Sequence, residues 1–133
     1  MASTICNITI DCEEPWRLAA FWSAVLALPV HPDNEPRDDE VGIPLPHGGE
    51  LIFQSVPEHK VVKNRQHLCL RPADCTRDAE VERLAELGAT LVSDLRRPDG
   101  SGWAVLADPE SNEFCVLRRA SELSAVHGNE ALS

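Results

Sequence analysis

The sequence predicts an α+β domain built from two copies of one βαβββ unit. Three observations predict it: a strand pattern that recurs sixty residues on, an amphipathic helix behind each copy, and short turn-separated strands behind each helix. Together the strands are expected to form an incompletely closed eight-stranded sheet. The units are placed at about 4–57 and 66–119, with a linker at 58–65 and a tail at 120–133, all within one domain.

Asn7-Ile-Thr-Ile-Asp11 alternates polar and apolar residues as a half-buried strand does, and His67-Leu-Cys-Leu-Arg71 alternates in the same phase. A helix follows each strand. Pro15 suits the first helical position behind Glu14, and in the second unit Asp74 or Thr76 can cap the free amide groups. Phe21, Ala24, Val25 and Leu28 form one apolar stripe, and Val81, Leu84, Ala85 and Gly88 repeat it sixty positions later. Gly88 is a natural helix end.

Leu28-Pro-Val30 and Gly88-Ala-Thr-Leu-Val92 are expected to begin the next strand of each unit. Gly48-Gly49 then separates Val41–Pro46 from Leu51–Val56. In the second unit Asp99–Gly102 precedes Trp103–Ala107, and Asp108–Asn112 precedes Glu113–Leu117. These are hairpin connections by their turn chemistry. The acidic tract Asp33–Glu40 reads as a solvated loop, and the tail as a short helix or a frayed end.

Composition excludes several function classes. Twelve Lys and Arg stand against 22 Asp and Glu, a formal charge of −10, which repels nucleic acid and anionic lipid. No run approaches the ~20 apolar residues that span a bilayer. The first eleven residues lack a basic segment and an apolar core, so no export signal is read. Five cysteines, at 6, 12, 69, 75 and 115, form no CxxC pair, and a reducing cytoplasm is the expected location.

Strand parity sorts the faces. Ile8 and Ile10, with Leu68 and Leu70, are assigned to the helix side, and Phe53 and Phe114 to the core. Asn7, Thr9, Gln54, His67, Cys69 and Cys115 then share the other side. Uncharged polar groups mixed with thiols suit a ligand-lined cavity better than a solvated face. Trp103 is placed at the cavity mouth, where an aromatic face stacks on ligands. His67 is the candidate general base, its imidazole being tunable near neutral pH. A His67–Cys69 dyad is not expected, because residues i and i+2 on a strand stand about 7 Å apart. The basic island His59–Arg65 either steers an anionic ligand or offsets nearby acids.

Four segments together resemble the vicinal oxygen chelate superfamily of glyoxalases, bleomycin-resistance proteins and extradiol dioxygenases. They are Asp11–Trp22, Lys63–Leu70, Leu87-Gly-Ala89 and Trp103–Leu117, within a similarity running from about Thr4 to Arg119. Within that superfamily the sequence looks most like the small glyoxalase-like proteins of actinobacteria. The resemblance implies the glyoxalase/bleomycin-resistance fold, a homodimer, and a divalent metal held by the first and last strand of each unit. By position those places fall on Asn7, Gln54, His67 and Cys115. No carboxylate is among them, whereas hard divalent ions ask for oxygen ligands. The expectation is therefore a small-molecule-binding protein without a metal cofactor, acting by sequestration or by simple acid–base catalysis. One alternative is a lyase or dioxygenase with a metal such as Zn(II) on His67, Gln54, Cys115 and Glu113. Another is a protein-interaction module with a vestigial pocket.

Overall fold

Residues 1–123 are described by a computed structural model, in which the chain divides into two compact units, one ending at Val61 and the other beginning at Val62. The first unit runs β1 (Asn7–Cys12), α1 (Pro15–Leu26), β2 (Glu40–Pro44) and β3 (Glu50–Ser55). The second runs β4 (Cys69–Leu70), α2 (Arg77–Leu87), β5 (Thr90–Asp94), β6 (Ala104–Ala107) and β7 (Glu113–Val116), closed by a 3-10 turn at Ala120–Glu122. The expected tail helix otherwise falls outside the described residues.

Each unit orders its strands alike. In the first, β3 lies between β1, parallel to it, and β2, antiparallel to it. In the second, β7 takes the same place between β4 and β6, and β5 is added beyond β6. The described residues thus hold seven strands, and the strand expected at Leu28–Val30 is absent. That segment makes one bond towards β2, His31 N–H to Gly42 O at 2.8 Å. Pro29 and Pro32 explain the difference, since neither carries an N–H to donate to a ladder. The corresponding β5 has no proline and pairs with β6 across a bulge between Leu91 and Ser93.

The first core follows the period-2 pattern. Val41, Ile43, Leu51 and Phe53 are buried on one face of the sheet, against Leu18 and Trp22 of α1. Ile8 has the expected phase opposite Leu51 but stays 43% exposed on the outer strand β1. The helix stripe is rotated from the expected one. Leu18, Phe21, Trp22 and Val25 are its buried line, and Ala24 faces out. Pro15 opens the helix, and Ala27 ends it in a left-handed conformation (φ 54°) with its N–H on Ser23 O.

In the second unit Leu84, Ala104, Leu106, Phe114 and Val116 form the buried face. Thr76 rather than Asp74 caps α2, accepting from Ala79 N–H at 3.2 Å. The buried line of α2 is Arg77, Glu80, Val81 and Leu84, so Ala85 is outside it and two charged residues are inside. Both are paired. Arg83 donates to the Glu80 carboxylate at 2.7 and 2.9 Å, and the Cys75 thiol donates at 3.5 Å.

The Arg83 hydrogen bonds hold the Glu80 carboxyl below its usual value of 4.5, against the opposing effect of burial. A carboxylate depressed in the folded state stabilises above its unfolded pKa and loses that contribution as pH falls through the folded one. Glu80→Gln is expected to cost about 0.5–1 kcal/mol at pH 7 and to make the acid limb of the stability curve shallower. Urea melts from pH 7 to pH 3 measure this. An unchanged acid limb would show the pair to be indifferent to folding.

Candidate functional site

Register decides which side chains meet. Cys69 of β4 stands directly opposite Cys115 of β7, which stands opposite Val105 of β6. These three share the face turned away from Phe114 and Val116, together with Ala107 and Glu113. His67 precedes β4 by two residues and extends the same side, while Leu68 O and Leu70 O accept from Cys115 N–H and Leu117 N–H at 2.9 and 2.8 Å. The imidazole and the two thiols converge, with one ligating atom from each within 4.8 Å of the others. The 7 Å expected between His67 and Cys69 applies to a regular strand, and His67 lies before the ladder begins.

The three differ in environment. Cys115 is 4% exposed, whereas His67 and Cys69 are exposed. Burial pushes the Cys115 thiol up to about 11, and the neighbouring Cys69 adds to the rise by its charge and hydrogen bond, against an opposing effect of Lys63. A thiol so raised stays protonated near neutral pH and is a poor nucleophile. That leaves the His67 imidazole and the Glu113 carboxylate as the groups on this face whose chemistry can move a proton.

Glu113 is held beside this group. Asn64 N–H donates to its carboxylate at 3.3 Å, and the Asn64 side chain brackets its backbone, accepting from Glu113 N–H at 2.8 Å and donating to Glu113 O at 3.3 Å. Asn64 ties the segment before His67 to the start of β7, a positioning role that no sequence pattern announces. Trp103 lies two residues before Val105, is half-buried, and its carbonyl accepts from Leu95 N–H at 2.9 Å.

The other sequence-derived residues belong to the first unit. Asn7, Thr9 and Gln54 do share one face of its sheet, by the pairs Asn7–Glu50, Thr9–Ile52 and Asp11–Gln54. All three are exposed. That face is not neutral as expected, since Asp11, Glu40 and Glu50 lie on it too. The Asn7 side-chain oxygen accepts from Glu50 N–H at 3.0 Å, so it serves the backbone. Beside it, His31, Asp33, Asn34, Glu40, Gly42, Glu50 and Ile52 line an acidic cleft of about 190 Å³. Sequence reasoning missed this cleft. Gly42 was its one available signal, because a Cβ there would meet the Glu50 carboxylate at 2.6 Å.

The residues do not fit a hard divalent metal of the kind the resemblance implies. One of the four places is an amide already engaged by the backbone, another is a buried thiol, and none is a carboxylate.

Comparison with known proteins agrees with the fold. A solution structure of protein ATC0852 from Agrobacterium tumefaciens matches with a TM-score of 0.69 at 18% identity, covering 90% of this chain and 99% of that one. A glyoxalase/bleomycin resistance protein/dioxygenase family enzyme from Burkholderia phytofirmans PsJN matches with 0.65 at 18% identity, covering 86% and 97%. A mutant of the fosfomycin resistance protein FosX from Listeria monocytogenes, solved with Mn(II) and a dihydroxypropylphosphonic acid, matches with 0.68 at 16% identity, covering 92% and 94%. No curated protein matches the sequence. No helix among the described residues is long and apolar enough to cross a membrane. A family model described as a glyoxalase-like domain matches residues 7–117, and the chain belongs to that family.

Proposed function

We propose that this protein binds a small organic molecule on the His67 face of its second sheet, with His67 as the acid–base or hydrogen-bonding group. The observation that carries the reading is the exposed imidazole beside the buried Cys115 thiol, on a face shared with Val105 and Ala107. Binding sites combine apolar walls with a few placed polar groups, and this strip has that composition in a chain of −10. Cys69 and Cys115 contribute wall and weak hydrogen bonding, and Trp103 contributes an aromatic edge. A protonated thiol favours sequestration or proton transfer at His67 over covalent catalysis. No hard divalent metal is required.

The test is an NMR titration of the full chain with a library of small polar and aromatic compounds. Binders are expected to shift amide signals at 67–69 and 113–116, and His67→Ala to weaken them about tenfold, which is about 1.4 kcal/mol. Binders that map elsewhere, or that ignore the substitution, would overturn the assignment.

The reading extends to a homodimer, on the ground of the resemblance and of sheet edges left open. Light scattering at twice the 14.6 kDa of one chain is the expected result. A cytoplasmic location is assigned on the ground of five free cysteines.

A further inference from the structure

We propose that His67, Cys69 and Cys115 form a three-donor site for a soft, thiophilic metal ion, with Zn(II) as the expected occupant and a fourth position left open. Cys69 is the residue that makes the difference, since it is not one of the positions that carry metal by resemblance. Its pairing with Cys115 brings a second sulfur to the place where a carboxylate would serve a harder ion. Two thiols and an imidazole exclude Mg(II) and Mn(II) by ligand type and match the Cys and His ligation of zinc.

Geometry supports the assignment. At Zn–S about 2.3 Å and Zn–N about 2.0–2.1 Å, tetrahedral donors stand about 3.5–3.8 Å apart. The three ligating atoms here lie within 4.8 Å of one another, so closure asks for movements on the order of 1 Å. Those movements fall to the two exposed side chains, His67 and Cys69, while buried Cys115 anchors the site. The chain carries 22 acidic residues, yet this carboxylate-free trio is the single group of three or more potential ligands among the described residues. The Glu113 carboxylate, engaged by Asn64 N–H, lies outside it, which leaves the fourth place to water or to an incoming molecule. The inference does not rest on organic-ligand binding: zinc would displace the Cys115 proton and engage the His67 imidazole, so the acid–base role of His67 belongs to the metal-free protein and each reading is tested in its own state.

The experiment uses the full chain, reduced and stripped with a chelator, titrated with Zn(II) against a chromophoric competitor. One Zn(II) per chain is expected, with no competition from Mg(II) or Mn(II). Co(II) in its place should give a sulfur-to-cobalt charge-transfer band. Loss of a residue that merely supports a ligand costs about 10–100-fold in affinity, so Cys69→Ser and His67→Ala should each cost at least about 100-fold. Both replaced residues are exposed, and an unchanged melting temperature separates lost binding from lost folding. Zinc that fails to bind, that binds Cys69→Ser as well as wild type, or that is replaced by Co(II) without a sulfur band would overturn the proposal.

Discussion

Phe114→Ala is expected to lower the folding stability by about 3–5 kcal/mol, the range for emptying a buried aromatic site. Phe114 is 1% exposed and occupies β7, which has a strand on either side. It stands opposite Leu106 and shares its face with Val116 and Ala104, beneath α2. Neither neighbouring ladder can move inward without breaking its backbone bonds, so the void stays largely open. A domain of this size is stable by only about 5–15 kcal/mol, and about a fifth or more of that would go. Cys115 is the next residue on β7, so the His67–Cys69–Cys115 group is expected to loosen with the strand. Guanidinium melts give the stability, and thiol alkylation of Cys115 at sub-denaturing concentrations gives the local effect. A loss below about 1 kcal/mol would show that α2 and β6 collapse onto the site, contrary to this account.

The repeat was legible because period-2 and period-3.6 patterns report burial on one side of an element. Phe53 and Phe114 fall at matching places on the middle strands, where the phase reading put them. Leu28–Val30 defeated the same logic, because hydrophobicity suggested a strand while Pro29 and Pro32 removed the donors a strand needs. Helix α2 defeated it differently. Its buried line includes Arg77 and Glu80, which a hydrophobicity pattern assigns to water and which only tertiary partners make tolerable. At the candidate site, parity alone put His67, Cys69 and Cys115 on one side. It did not give their convergence, since that depends on the Cys69–Cys115 register and on His67 lying before the ladder. The mixed acidic character of the first sheet's face was likewise hidden, because Glu40 and Glu50 reach it only through pairing with Gln54 and Asn7.

Arg77→Ala is expected to be the other severe change, at about 2–4 kcal/mol, through polar groups rather than volume. One guanidinium nitrogen, Nη1, donates to Gly100 O, Ser101 O and Gly102 O at 3.1, 3.0 and 3.0 Å. Gly100 and Gly102 adopt φ of 91° and 87°, which turns the carbonyls of the β5–β6 connection towards one point. Side chains with a Cβ rarely adopt that conformation, so the turn and its cation are matched. Nε meanwhile donates to Asp78 at 3.0 Å, and the Arg77 side chain is 6% exposed. Without the guanidinium the three inward carbonyls lose a charged donor, Ser101 O keeping Arg97 N–H at 2.9 Å, and a hydrogen bond to a charged group contributes about 1.5–3 kcal/mol. Arg77→Met separates the causes, because it keeps most of the stem and removes the charge. A loss close to that of the alanine variant, with faster amide exchange across β5 and β6, is the expected result. Stability within about 0.5 kcal/mol of wild type for the methionine variant would mean that packing of the stem holds this turn, and that the three carbonyls do not need their cation.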